Sequence, residues 1–126
     1  MQYLIWNECY VAGGADWSLI DLIGHWPVAS DRFTLYVNRT HEGLPLLREK
    51  MPSAVEIREF TTFLEMAAAT FAKYPFLKFP PLRKVVLLWN VVANYGQLKR
   101  IFPRFDYDAV IFNNGGYPGF MSNIRE

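Results

Sequence analysis

Tyr3-Leu4-Ile5-Trp6-Asn7-Glu8-Cys9-Tyr10-Val11-Ala12-Gly13-Gly14-Ala15-Asp16 is the stretch on which the fold turns. Its short apolar run, Tyr3 to Trp6, predicts a buried strand. The paired glycines break the extended segment, and Asp16 is placed to cap a helix. Leu19, Leu22, Ile23 and Trp26 then recur at i, i+3, i+4 and i+7, which predicts an amphipathic helix with all four on one face. Pro27 ends that helix, because the residue before a proline is pushed out of helical geometry.

The same alternation continues downstream. Arg32 to Val37 is β-branched and aromatic and predicts a second strand. Pro45 suits the first turn of a short helix ending near Met51. Ala54 to Ile57 is a weaker third strand, after which Phe60, Phe63, Leu64, Ala67 and Phe71 fall at helical spacing. Tyr74 to Pro81 contains three prolines and reads as a loop. A long helix is predicted from about Leu82 to Ile101, with Leu82, Val85, Val86, Trp89 and Ala93 inward. Asp106-Tyr107-Asp108 turns the chain into a fourth strand, Ala109 to Phe112, and Ser122 to Glu126 opens a further helix.

Strands alternating with helices predict an α/β fold with a parallel sheet and helices on both faces. The usual right-handed winding gives the strand order 3-2-1-4. A doubly wound half normally continues beyond its fourth strand, so the expectation is a truncated domain spanning 1–126. Its bare sheet edge and apolar face predict self-association into a homo-oligomer.

Composition narrows the function classes. With 126 residues there is room for one hydrophobic core. A net charge of +1, with no clustered basic stripe, predicts no strong pull on nucleic acid. The only cysteine, Cys9, has no internal disulfide partner, which points to a reducing cytoplasm. The N-terminus lacks a basic n-region and a long apolar core, so it is a strand and not a signal peptide. The run Val85 to Trp89 with Val91 to Ala93 is far short of the roughly 20 residues of a spanning helix. Asn38-Arg39-Thr40 matches a glycosylation acceptor, a triplet common by chance.

Ligands of open parallel sheets bind beyond the carboxyl ends of the strands, where the strand order reverses. In the order 3-2-1-4 that crevice lies between the loops after strands one and four. Each loop has a glycine pair, Gly13-Gly14 and Gly115-Gly116. Glycine allows close backbone approach and positive φ, and a helix N-terminus after Gly14 favours phosphate. Taken singly, each pair also reads as a tight turn. A dinucleotide fold requires Gly-x-Gly-x-x-Gly after strand one and an acid ending strand two. Here the glycines are adjacent and strand two ends at Asn38, so the dehydrogenase reading is weak. The ATP phosphate loop Gly-x-x-x-x-Gly-Lys is absent. No metal site is implied, since His25 and His41 have no ligand spacing with cysteine or carboxylates.

The two loops resemble those of the retaining glycosyltransferases of family four, also called group 1, which have two Rossmann-like domains. Gly13-Gly14-Ala15-Asp16 is similar to the family's Gly-Gly-Ala-Glu loop. Asp106 to Gly119, with Asn113-Asn114-Gly115-Gly116-Tyr117-Pro118-Gly119, is similar to its fourth-strand segment. The likeness covers residues 3–24 and 105–120, and elsewhere only the order of elements matches.

The resemblance implies an acceptor-side Rossmann-like half, with Gly13, Gly14 and Ala15 at the donor diphosphate. It implies an acceptor-side cleft lined by Asn113, Asn114, Gly115, Gly116 and Tyr117, to which Glu8 and His41 are added by their place at the same sheet edge. The substrate would be a nucleotide-diphosphate-sugar, without a separate cofactor, and the acceptor a saccharide or a lipid-linked sugar. The family's spaced glutamate pair is missing, so the donor-side domain would lie elsewhere and the chain alone would be inactive. Many members have a histidine near the end of strand four. Asn113 and Asn114 stand here, so no catalytic residue is assigned.

Bland readings compete. His25 reads as structural, Asp16 as a helix cap, and Cys9 as a small filler without a nearby base. Lys73 to Lys84 interleaves aromatics with basic residues, a pattern that docks on anionic lipid or packs within the enzyme. A non-catalytic nucleotide- or partner-binding module remains the alternative function.

Overall fold

The structure is a computed structural model that describes residues 1–101 and 106–113. Among these, residues 1–60 with 106–113 form one compact unit and residues 61–101 another. The first unit is α/β. Its strands are β1 (Gln2–Asn7), β2 (Arg32–Asn38), β3 (Val55–Phe60) and β4 (Ala109–Phe112), and its helices are α1 (Gly14–Gly24) and α2 (Leu44–Lys50). All pairings are parallel and the order is β3-β2-β1-β4, as the alternation predicts.

Strand periodicity sorts the sheet's side chains onto two faces. Ile5, Leu35 and Val37 point to one face and form the core with Phe33, Leu19 and Ile23 of α1, and Leu44 and Leu47 of α2. At the amino end of this face, Tyr3 stacks on Phe33 at 5.2 Å, and Trp26 meets both rings edge-on. The other face carries Leu4 and Trp6, both fully buried. Trp6 stacks on Phe60 at 4.2 Å and tilts against Tyr36 at 5.5 Å. The free edge at β3 bears Glu56, Arg58 and Glu59, charges of the kind that discourage edge-to-edge pairing.

Several local expectations shift. β3 runs to Phe60 instead of stopping at Ile57, because Phe60 closes the Trp6 stack and does not join the following helix. Leu22 is exposed, and the buried stripe of α1 is Asp16, Leu19 and Ile23 with Ile20 half-buried. A three-residue step from Leu19 turns through about 300°, which carries Leu22 away from the sheet. The helix ends at Gly24, ahead of Pro27.

The second unit contains α3 (Phe63–Lys73), a 3₁₀ turn (Pro75–Lys78) and α4 (Pro80–Ile101). Thr62 caps α3: its hydroxyl accepts the Glu65 N–H, and Glu65 returns a carboxylate oxygen to the Thr62 N–H at 2.7 Å. Thr-x-x-Glu was the available start signal, and it places Phe60 outside the helix. Ala67 is buried; the side chains of Phe63 and Leu64 lie outside the described set. Pro80 and Pro81 open α4 instead of forbidding it, since a first-turn proline lacks only an N–H that has no intrahelical acceptor.

The buried face of α4 is rotated from the expected one: of the residues placed inward, Val86 is buried and Ala93 half-buried. Leu82, Val85 and Trp89 are exposed, while Val86, Asn90 and Asn94 are buried. The polar residues can turn inward because they are partnered. Asn90 donates to the Val86 carbonyl at 2.8 Å, and Gln97 donates to the Thr61 carbonyl at 2.8 Å and to Asn94 Oδ1 at 3.4 Å.

Two measurements check this packing. Trp6→Ala removes the ring at the centre of the aromatic stack and is expected to lower unfolding free energy by about 3–5 kcal/mol in urea titration. Asp31 accepts from the Met1 ammonium at 2.6 Å and from the Trp26 indole at 2.8 Å, and these partners hold its carboxyl below its ordinary range. A lowered folded-state pKa gives stability that is present above about pH 4 and lost as pH falls through the lowered value. Urea midpoints measured down to acid pH should therefore show a drop that Asp31→Asn reduces.

Candidate functional site

Three neighbouring strands of the sheet finish in asparagine: Asn7 ends β1, Asn38 ends β2, and Asn113 follows β4. Asn7 Oδ1 accepts the Cys9 N–H at 3.1 Å, and Asn38 Oδ1 accepts the Thr40 N–H at 3.1 Å. These side-chain turns bend the chain out of the sheet at its carboxyl edge. Asn113 donates its N–H to the Trp6 carbonyl at 2.9 Å, and its own carbonyl lies 3.6 Å from Cys9 Sγ. The loops leaving β1 and β4 thus begin side by side, at the point where the strand order reverses.

Asp16 ties this edge to α1. Its carboxylate is buried and receives three hydrogen bonds: from Asn7 Nδ2 at 3.2 Å, from the Gly13 N–H at 3.0 Å, and from His41 Nε2 at 3.0 Å. The helix cap expected of Asp16 is present, but from the third helical position and with Gly13 at the N-cap. Since a carboxylate only accepts, His41 carries a proton on Nε2. The ring is fully buried and held against Asp16, not facing solvent.

Glycine is demanded at one position here and not at two others. A Cβ on Gly43 would stand 2.8 Å from His41 Nε2 and 2.9 Å from Asp16 Oδ2, so the Asp16–His41 pair excludes any side chain there. Gly13 and Gly14 are exposed, and a Cβ on either would meet nothing within 4 Å. Gly13 is extended at φ −166°, a conformation open to any residue, so positive φ is not what it supplies. Neither crowding nor backbone strain requires this pair. What remains is the open approach to the first turn of α1, where the N–H groups of Gly14 and Ala15 have no intrahelical acceptor.

The other candidates fall elsewhere at the edge or outside it. Glu8 accepts from the Trp6 indole at 2.5 Å and is half-buried. Asn114, Gly115, Gly116 and Tyr117 lie outside the described residues, as does the helix expected from Ser122. His25 sits exposed at the end of α1, with Nδ1 2.9 Å from the Asp21 carbonyl. Among the described residues no three of His, Cys, Asp or Glu gather as a metal-holding group. Cys9 is pushed up from its ordinary pKa by burial, and then by the charges of Asp16 and Glu8. It packs as a protonated thiol.

Sequence reasoning missed Asn7, Asn38 and Gly43. Their signal was legible in part, as an asparagine closing each strand run. Three buried polar atoms have no hydrogen-bond partner among the described residues, namely Asn38 Nδ2, His41 Nδ1 and Asn113 Nδ2. All three belong to residues at the carboxyl edge of the sheet. Compared with protein-family models, with curated proteins and with solved structures, the chain matches none.

Gly43→Ala is expected to cost about 1–3 kcal/mol by forcing the buried Asp16–His41 contact apart. Gly14→Ala, in an open helical first turn, should be neutral or stabilising by up to about 1 kcal/mol. Thermal unfolding of the two variants side by side reads the contrast. Iodoacetamide should label Cys9 at neutral pH about tenfold more slowly than free cysteine, and faster as pH rises.

Proposed function

We propose that this chain is the acceptor-side Rossmann-like half of a nucleotide-sugar-dependent glycosyltransferase, and that the N-terminus of α1 receives the donor's diphosphate. One observation carries the reading. An exposed glycine pair that the fold does not itself require opens α1 at the carboxyl edge of a parallel sheet, on the segment leaving β1, whose Cys9 lies against Asn113 after β4. Backbone N–H groups and the positive end of a helix favour phosphate in such a place. The likeness of residues 3–24 and 105–120 to family-four glycosyltransferases supplies the substrate class.

In this reading the reaction displaces a nucleoside diphosphate from the anomeric carbon of a sugar. Negative charge grows on the leaving phosphate as that bond breaks, and the Gly14 and Ala15 N–H groups, fixed by α1, stabilise it without reorganising. Asn113 and the loop beyond it contact the acceptor, a saccharide or a lipid-linked sugar. A donor-side domain outside this sequence holds the nucleotide and the sugar, so residues 1–126 alone bind diphosphate weakly and transfer nothing.

A second reading, a non-catalytic partner-binding module, is favoured by one feature. The Asp16 carboxylate already accepts the Gly13 N–H and places a negative charge at the same helix end. Titration of the isotope-labelled chain with uridine, guanosine and adenosine diphosphates separates the two. The glycosyltransferase reading expects the Gly14 and Ala15 amides to shift, with binding weakened about tenfold by Gly14→Asp through like-charge repulsion at the helix end. Amides unmoved by all three nucleotides would leave the module reading in its place.

A further inference from the structure

The near-neutral charge of the whole chain conceals a segregation. Between Glu65 and Asp106 there is no acidic residue, against seven lysines and arginines. Residues 1–60, by contrast, hold eight acids and five bases. The cationic stretch falls within the second compact unit, and many of its apolar side chains are exposed. Along α4, Leu82, Val85, Trp89 and Val92 recur at i, i+3, i+7 and i+10 and are all exposed, Trp89 to 69%. Phe76 and Phe79, ahead of the helix, are exposed to a similar degree. Val86, Asn90 and Asn94 form the buried face of α4, so this helix turns most of its apolar side chains away from its own protein.

Basic side chains accompany the stripe along the sequence. Lys78 lies in the 3₁₀ turn, and Arg83 and Lys84 fall in the opening turns of α4, so all three are close in sequence to the start of the stripe. Lys73 Nζ lies 5.2 Å from the Tyr74 ring centre, and Lys99 Nζ lies 5.0 Å from that of Tyr95. Aromatic and aliphatic side chains bordered by lysine and arginine match the boundary between lipid headgroups and acyl chains. Among the described residues no helix is long and apolar enough to cross a membrane, so the contact this face can make is lateral.

From this arrangement we infer that the outward face of the 3₁₀ turn and α4 is a docking surface for an anionic lipid bilayer. Charge decides between occupants. A two-fold contact with a second copy would bring two such basic, acid-free stretches together, whereas anionic headgroups neutralise them. Nucleic acid would meet the charges but leave Leu82, Val85 and Val92 without an apolar partner. Whether α1 receives a diphosphate has no bearing on this surface.

Co-sedimentation of the full chain with vesicles tests it, using phosphatidylcholine alone and phosphatidylcholine with about a third phosphatidylglycerol. The expected result is partitioning onto the anionic vesicles only, reversed by raised salt, with a blue shift of tryptophan emission that Trp89→Phe diminishes. Lys78→Glu with Lys84→Glu should weaken partitioning about tenfold or more, as should Trp89→Glu, with circular dichroism unchanged. Equal binding to neutral vesicles, or no binding to anionic ones, overturns the inference. So does a dimer in sedimentation equilibrium that Trp89→Glu dissociates, or vesicle binding that these variants leave intact.

Discussion

The burial of β1 constrains everything else in the α/β unit. Leu4, Ile5, Trp6 and Asn7 are each fully buried, so a strand in this position must pair its backbone on both sides and pack side chains on both faces. β2 and β4 satisfy the backbone. The α1–α2 layer covers Ile5, and the Trp6–Phe60–Tyr36 stack fills the reverse face. β4 comes from the far end of the described chain yet pairs with the first strand, so the strand order reverses at β1. The switch point that results is a consequence of strand order.

Polar chemistry at that edge has its origin in the same burial. A strand end that stays inside the protein needs side chains able to turn the backbone and satisfy it at once, and asparagine does both. Asn7 and Asn38 each accept an N–H two residues on. Asp16 then collects donors from β1, from the loop before α1, and from His41 after β2. Its three hydrogen bonds offset the cost of holding a carboxylate away from water. They also lock α1 to the sheet, so the exposed N–H groups of its first turn are presented on a fixed support. Gly43 is the point at which this network excludes a side chain.

α4 obeys different rules. Propensity and apolar spacing predict a helix from this segment, and spacing alone points Leu82, Val85 and Trp89 inward. The observed orientation buries Asn90 and Asn94 instead, with Asn90 bonded to the carbonyl one turn back and Gln97 reaching Asn94 and Thr61. An apolar stripe identifies the face of a helix that prefers to leave water. It does not say whether protein or lipid receives it.

The amino-acid sequence by itself determined the class and the winding. Alternating strand and helix signals, glycine breaks and the usual handedness of crossovers sufficed for a parallel sheet in the order 3-2-1-4, because these depend on local stereochemistry and the chirality of the chain. It also marked Gly13-Gly14 as the opening of α1. Only tertiary structure decided that His41 is spent on Asp16, that Phe60 belongs to a strand, that Gly43 and not Gly14 is sterically required, and which side of α4 meets solvent. Each of these depends on contacts between residues distant along the chain, or on which of two surfaces a helix turns toward its neighbours. Periodicity along one segment carries no record of either.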